Sequence, residues 1–286
     1  MYMKESFYKI AGKTVLIESD FDLTESKFTQ PFKIEKTSAP DIICTARAVD
    51  KLERNDKADI KSDCDIAVYQ AGNKIYTDSY LHDGKTIYAR AAADVTGNEI
   101  KLDVLSSYMP FASDSERVML SMNLYFELLK RGAASLHSAS IEHGGKAILF
   151  TAPSNTGKST QAAFWEKCRG ARILNGDKNC VTVTDGAVFA HGIPFCGTSG
   201  ITNNYTMPLC AVVVLKQAKE NSVRRLRGVE ALTALIKNSH GYTAISETML
   251  MLTDVYTGVL KNVPVLELSC TPDERAVEEL EKSLVR

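Results

Sequence analysis

The sequence predicts an α/β protein in two parts: a smaller β-rich region over residues 1–112 and a region of alternating strands and helices over 113–286. Three observations predict this. Short apolar runs separated by Gly- and Asn-bearing turns fill the first hundred residues. A capping pattern followed by a long apolar run changes the character of the chain near residue 113. Beyond that run, one apolar strand passes through a Gly-Lys-Ser loop into a helix, inside a series of alternating strand and helix patterns.

In the N-terminal region, Tyr8–Glu18 holds a Gly-Lys turn between two apolar runs. Asp65–Tyr80 has a hairpin pattern with Ala71-Gly72-Asn73-Lys74 at its turn. Gly84–Ala93 and Glu99–Leu105 continue the strands. Residues 21–62 are rich in polar and charged types and are expected to be less regular, or to include a short helix near Ala46–Leu52. Ser113-Asp114-Ser115-Glu116 then reads as a capping box opening a long helix to about Lys130, with Val118, Met122, Tyr125 and Leu129 on one face. The domain boundary is expected just before it.

Strands follow over Ser135–Glu142 and Lys146–Thr151, joined by Gly144-Gly145, and a helix starts at Lys158. Arg172–Leu174, Cys180–Thr184, Ala187–His191, Leu209–Lys216 and Val265–Leu268 read as strands, and 228–238 and 243–261 as helices. Thr271-Pro272-Asp273-Glu274 is expected to cap the last helix. Phe164 and Trp165 on the loop helix are expected in the core.

Composition narrows the function classes. Lys and Arg total 34 against 35 Asp and Glu, which gives no electrostatic case for nucleic acid or an anionic membrane surface. The densest basic patch is Arg224, Arg225 and Arg227. No run approaches the length of a membrane-spanning helix, and Met1–Lys9 lacks the apolar core of a signal peptide, so a cytoplasmic protein is expected. The seven cysteines, at 44, 64, 168, 180, 196, 210 and 270, are odd in number and never spaced C-x-x-C, so they read as free thiols and not as a disulfide framework or zinc site.

The chemistry lies in Lys146–Thr160, KAILFTAPSNTGKST. An apolar strand, a small-residue loop, Gly157-Lys158-Ser159 and a helix make a Walker A arrangement, so a nucleoside triphosphate is the expected ligand. Loop N–H groups of Ser154, Asn155, Thr156 and Gly157 would cradle phosphate oxygens, helped by the unpaired donors of the helix start at Lys158, Ser159 and Thr160. Lys158 would neutralise the terminal phosphates, and the Ser159 hydroxyl is a hard oxygen for Mg²⁺. Ala152 replaces the first Gly of the pattern; Ala resists positive φ, so the loop is expected to begin by a different path. Asn175-Gly176-Asp177 follows a short strand, 19 residues after Lys158. An acidic residue there suits a Mg²⁺ ligand, the base that takes an acceptor's hydroxyl proton, or a plain turn.

The order of His137, the Gly-Lys-Ser loop and Asn175-Gly176-Asp177 resembles HPr kinase/phosphorylase and its relatives, which share the phosphoenolpyruvate-carboxykinase type of P-loop fold. The stretches His191–Thr198, Pro208–Lys216 and Asn221–Leu226 look closer to HPr-kinase-like proteins found beside peptide-modification systems. The resemblance covers about residues 134–240. It implies ATP and Mg²⁺ as cofactors, with Ser159 and Asp177 as metal ligands, Asp177 as catalytic base or metal-shell carboxylate, and His137 tuning it. It also implies Arg224 or Arg225 as a phosphate clamp. Gly176 stands where many relatives carry a second Asp, and His191 falls where they often carry an acidic metal ligand. The expected activity is transfer of the γ-phosphoryl group to a serine hydroxyl of a small protein or peptide. A small-molecule phosphotransferase and a nucleotide sensor with little turnover stay open beside it, as does a homo-oligomer.

Overall fold

The computed structural model describes residues 2–53, 61–62, 65–240 and 245–284, with the backbone alone at 61–62. The protein is a mixed α/β chain with two large sheets and, among the described residues, seven α-helices. It forms two compact units, Met1–Arg131 with Tyr242–Met249, and Gly132–Gly241 with Leu250–Arg286. The division thus falls after Arg131 and not before Ser113. Among the described residues, no helix is long and apolar enough to cross a membrane.

The first unit is built on a nine-stranded sheet. Its order is Lys33–Ile34, Lys4–Ile10, Lys13–Ser19, Ile42–Val49, Glu99–Leu105, Ile87–Asp94, Lys74–Tyr80, Ile66–Ala71 and Lys61–Ser62. The expected hairpins form, with turns at Ala11-Gly12 and Gly72-Asn73. The short helix expected near Ala46–Leu52 does not: Ile42–Val49 is a strand, and residues 54–60 lie outside the described residues. Ile42, Cys44 and Ala46 alternate into the core, and parallel neighbours on both sides take up the strand's backbone groups.

The single long helix expected over 113–130 is two helices, Ser115–Ser121 and Leu124–Leu129. Asn123 breaks it with φ 59°, a left-handed conformation that Asn tolerates better than most residues. Its side chain accepts from Phe126 N and donates to Thr77 Oγ1 at 3.1 Å, so the break is anchored to the sheet. Asp114, not Ser113, caps the first helix, accepting from the N–H groups of Glu116 and Arg117. Glu127 is fully buried and is held by Lys130 at 2.8 Å and Arg131 at 2.9 Å. Burial still raises its pKa, more than the two cations lower it.

The second unit has an eight-stranded sheet in which five strands close a ring. Ala133–His143 pairs with Lys178–Thr184, which pairs with Ala187–Gly192, then Thr206–Gln217, then Lys146–Thr151, which returns to Ala133–His143. Val265–Cys270 and Ser222–Leu226 extend the sheet from Thr206–Gln217. Ala133–His143 and Thr206–Gln217 are long enough to change partners along their length. The helix Lys158–Arg169 and the last helix Arg275–Leu284 bury Trp165, Ala162, Val277 and Leu280 against Ile141, Phe150, Val213 and Leu268. Trp165 is therefore core, as expected, with Phe164 packed at the margin of the same cluster. The last helix starts later than its sequence pattern: Asp273 Oδ1 accepts from Arg275 N, ahead of the first turn. The start expected at 243 for the preceding helix lies outside the described residues; from Ser246 the helix runs to Asn262.

Asn123→Ala is expected to lower the stability of the first unit by about 3 kcal/mol. It removes a cap, leaves the Thr77 hydroxyl without that donor, and places Ala at positive φ. The midpoint of urea unfolding checks this.

Candidate functional site

One strand organises the site. Along one edge of Ala133–His143, Arg172–Asn175 pairs with residues 140–142 and Lys178–Thr184 with residues 133–137. Gly176-Asp177 is the break between these two ladders. Along the other edge, Lys146–Thr151 pairs as far as Ser138, and a bridge from Leu136 to Ser239 takes over. The break on this edge is where the chain leaves Thr151 into the 152–157 loop. Both edges change partner at His137-Ser138, and ligand crevices in α/β sheets form where such strands part.

The backbone around His137 is tied on every side. His137 N donates to Asn238 O at 2.8 Å, its carbonyl accepts from Thr151 Oγ1 at 2.8 Å, and Ser138 N donates to Asp177 O at 2.8 Å. The side chains then meet: His137 Nε2 lies 2.9 Å from Asp177 Oδ1, and both groups keep about a quarter of their surface exposed, 24% and 23%. Burial pushes the Asp177 carboxyl up, but the hydrogen bond and charge of His137, with Lys178 and His240, outweigh it and leave the group below the ordinary aspartate value.

The loop begins without strain at Ala152, which is fully buried and has no positive φ. The left-handed residues are Asn155, φ 63°, and Gly157, φ 112°. The turn is thus carried further along the loop, which is why Ala suffices at 152. Ser154, Asn155, Ser159 and Thr160 are exposed, and Thr156 and Gly157 half-buried. The helix Lys158–Arg169 follows with its first N–H groups directed back toward the loop. The Lys158 ammonium is buried and donates to Ala152 O at 3.0 Å and Pro153 O at 3.3 Å. Burial lowers its pKa, and the charge of Asp177 offsets part of that.

The structure therefore brings Lys158, Asp177 and His137 into one electrostatic neighbourhood. It does not bring the arginines there. In sheet register, Thr151 aligns with Val214, Val214 with Glu267, and Glu267 with Arg224. Arg224 is thus three strands from the loop, about 14 Å at ordinary strand spacing. It is also committed to Glu230 and Glu267, at 2.7 and 2.8 Å. Arg225 is its exposed neighbour on the same edge strand. The phosphate-clamp role expected for this pair has no support in that geometry. His191 is buried inside a strand, its ring nitrogens 2.8 Å from Thr182 Oγ1 and 3.0 Å from Thr206 Oγ1, which is a structural cross-strand bridge.

Gly176 is set by packing. A Cβ there would lie 2.0 Å from Ser199 Oγ, so the second acidic residue has no room in this chain. Below the pair, Asn179 donates to Ser138 O at 2.6 Å and accepts from Tyr205 at 2.7 Å and Ser140 at 2.9 Å, holding the strands that carry His137 and Asp177 in register.

The sequence profile of the SynChlorMet cassette protein ScmC family matches residues 110–286, well over half of the chain. The chain belongs to this family. A solved structure of the HPr(Ser) kinase/phosphatase from Coxiella burnetii is similar at 14% identity, over 53% of this chain and 88% of that one, with a TM-score of 0.31. No curated protein matches. The ScmC-family match takes in the whole site, from His137 through the 152–157 loop to Asp177.

The reading of the sequence missed His240. Its ring lies 5.6 Å from that of His137, centroid to centroid, and Ser135 Oγ donates to its carbonyl at 3.0 Å. The bridge that puts it there, Leu136 to Ser239, spans about a hundred residues and has no local signal in the sequence. Burial, then the charges of Lys178 and His137, push its pKa from 6.5 down to about 3. Between those values the unfolded chain binds the proton and the folded chain does not. Stability therefore falls as pH drops from about 6.5 toward about 3. His240→Asn is expected to flatten that slope, as measured by urea unfolding at a series of pH values across the window.

Proposed function

We propose that this protein is an ATP-dependent phosphotransferase whose acceptor is a hydroxyl, most consistently a serine of a small protein or peptide. The observation that carries it is the register of Ala133–His143, which sets the His137–Asp177 pair where the strand parts from the 152–157 loop and its lysine. A loop of small residues followed by a helix start offers unpaired N–H groups to phosphate oxygens. Ser154, Asn155, Thr156, Gly157, Ser159 and Thr160 would line that cradle, with the Lys158 ammonium held at its base by Ala152 O and Pro153 O.

Mg²⁺, when bound with the nucleotide, supplies charge neutralisation on the phosphates. Ser159 would hold it as a hard-oxygen donor, and Asp177 would reach it through its water shell. Among the described residues there is no cluster of three His, Cys, Asp or Glu side chains fit to hold a metal ion. A P-loop site does not require one, since phosphate oxygens and water complete the coordination of Mg²⁺. At the reacting centre, Asp177 Oδ1 is engaged by His137, which leaves Oδ2 to accept the acceptor's proton. The acceptor oxygen forms the new bond to phosphorus as the bond to the departing nucleoside diphosphate breaks. A lowered carboxyl pKa keeps Asp177 ionised at neutral pH, as a proton acceptor needs.

Two substitutions test the reading. Lys158→Ala is expected to weaken Mg²⁺–ATP binding at least ~100-fold by calorimetry, because the cradle loses its charge. Asp177→Asn is expected to keep that binding within a few-fold while transfer to acceptor peptides, read by mass shift, falls by about 10²–10⁴. Equal transfer by the wild type and Asp177→Asn would remove the kinase reading. Binding with no Asp177-dependent turnover would leave a nucleotide sensor.

A further inference from the structure

Residues 192–205 form a loop with a closed neck over the site. Gly192 N donates to Tyr205 O at 3.1 Å, and Ile193 O accepts from Thr202 Oγ1 at 2.8 Å and from Asn175 Nδ2 at 3.1 Å. The base of the loop is buried through Cys196, and the tip from Gly197 to Ile201 is largely exposed. The tip is folded onto the break at Gly176-Asp177. Ser199 sits over Gly176, and Gly176 N donates to Ile201 O at 3.1 Å. Gly197 lies against the carboxylate: a Cβ there would fall 2.4 Å from Asp177 Oδ2, 2.7 Å from its Cγ and 3.1 Å from its Cβ. Because all three atoms are close, the carboxylate could not evade a methyl by rotating; it would have to shift away from His137. Ser199 Oγ, donating to Cys196 O at 2.6 Å, holds the turn in this place.

The chemistry of the loop is as informative as its position. From Gly192 to Leu215 the chain has no Asp, Glu, Lys or Arg, in a protein where such residues make up 24%. The cations near Asp177, Lys158 and Lys178, lie outside this loop, as does His137, which engages Oδ1. The loop beside Oδ2 offers only hydroxyls, amides, backbone and the exposed Ile201 side chain.

We propose that the Gly197–Ser199 turn is the acceptor-side wall of the site. Gly197 is its specificity-determining position, and the wall admits an uncharged hydroxyl-bearing segment to Asp177 Oδ2. This rests on the phosphotransferase reading. A neutral wall hydrogen-bonds a peptide segment without a desolvation cost for unpaired charge, whereas a sugar phosphate or a free amino acid would bring charges the loop has no partner for. The missing side chain at 197 leaves the oxygen that takes the proton within reach and undisplaced. Gly197 is a positioning residue in this respect, since it acts through Asp177.

The test uses the full chain with Mg²⁺–ATP and three acceptors: an uncharged serine-containing peptide, free L-serine and a sugar phosphate. The wild type is expected to favour the peptide at least tenfold in kcat/KM. Gly197→Ala is expected to lower kcat on the peptide at least tenfold with the calorimetric affinity for Mg²⁺–ATP within twofold. Gly186→Ala, in a remote hairpin turn with open space around its Cβ position, places Ala at φ +78° as Gly197→Ala places it at φ +54°, and is expected to retain wild-type kcat. Ser199→Gly, which loosens the turn without adding bulk, is expected to raise KM for the peptide severalfold and to leave nucleotide affinity unchanged; this variant carries the test if Gly197→Ala does not fold. Transfer by Gly197→Ala within twofold of the wild type, or a wild-type preference for a charged acceptor, overturns the proposal. Mg²⁺–ATP binding by the wild type with no transfer to any acceptor or to water overturns the phosphotransferase reading and this proposal together, and is distinguished from the first two results by that absence.

Discussion

The second unit depends on one strand being longer than any of its partners. Ala133–His143 spans 11 residues, while each neighbouring ladder takes up only part of it. Because β ladders saturate backbone groups pair by pair, a strand that outruns its partners must find others for the remainder. Here the exchange occurs on both edges at the same two residues, His137 and Ser138. One edge opens the 152–157 loop, the other opens the Gly176-Asp177 turn, and Asn238–His240 fills the gap below. The site follows from this geometry: Lys158, Asp177, His137 and His240 come from separate segments and share nothing but the place where their strands part. The buried Asn179, Ser138 and Ser140 bonds matter for the same reason. A slip of one residue in this ladder would turn His137 to the opposite face and separate it from Asp177.

The electrostatics of the site are lopsided. A single carboxylate stands among Lys158, Lys178 and two histidines. Such a surplus of positive charge favours an anionic ligand beside the 152–157 loop. Burial first, and the nearby charges second, keep His240 neutral, while the hydrogen bond of His137 and the neighbouring charges keep Asp177 ionised despite partial burial. The arginines of the edge strand do not add to it, because Glu230 and Glu267 already neutralise Arg224.

Much of this was legible in the sequence where the signal is local. The hairpins of the first unit, the strand–loop–helix at Lys146–Arg169 and the core position of Trp165 follow from periodicity and turn chemistry. Asp177 stands out in the sequence by its place after a short strand, 19 residues from Lys158, whereas His137 stands out only through the family resemblance. What escaped was non-local or hidden in context. Asn123 sits within an apolar helical pattern, and its break shows only when Thr77 is placed opposite. Ile42–Val49 is an apolar run inside a stretch rich in polar and charged residues, and the partners that make it a central strand are distant in sequence. His240 and the Gly197–Ser199 turn reach the site through pairings that span tens of residues, and their roles have no local signature. Arg224 misled for a related reason: a cluster of basic residues says nothing about the acids waiting across a strand.

The closed ring of strands has a kinetic side. Lys146–Thr151 and Thr206–Gln217 are joined in parallel across more than fifty residues of chain, and the ring is complete only when that pairing forms. Distant pairings of this kind carry a loop-closure cost before any contact repays it, so they tend to come late in folding. The junction at His137 cannot form before then, since its segments belong to different arcs of the ring. A ligand that fits it recognises only chains that have finished folding, and its binding energy is returned to the whole ring by mass action. The supply of such a ligand would then govern what share of the chains holds the folded second unit, independently of any reaction it carries out.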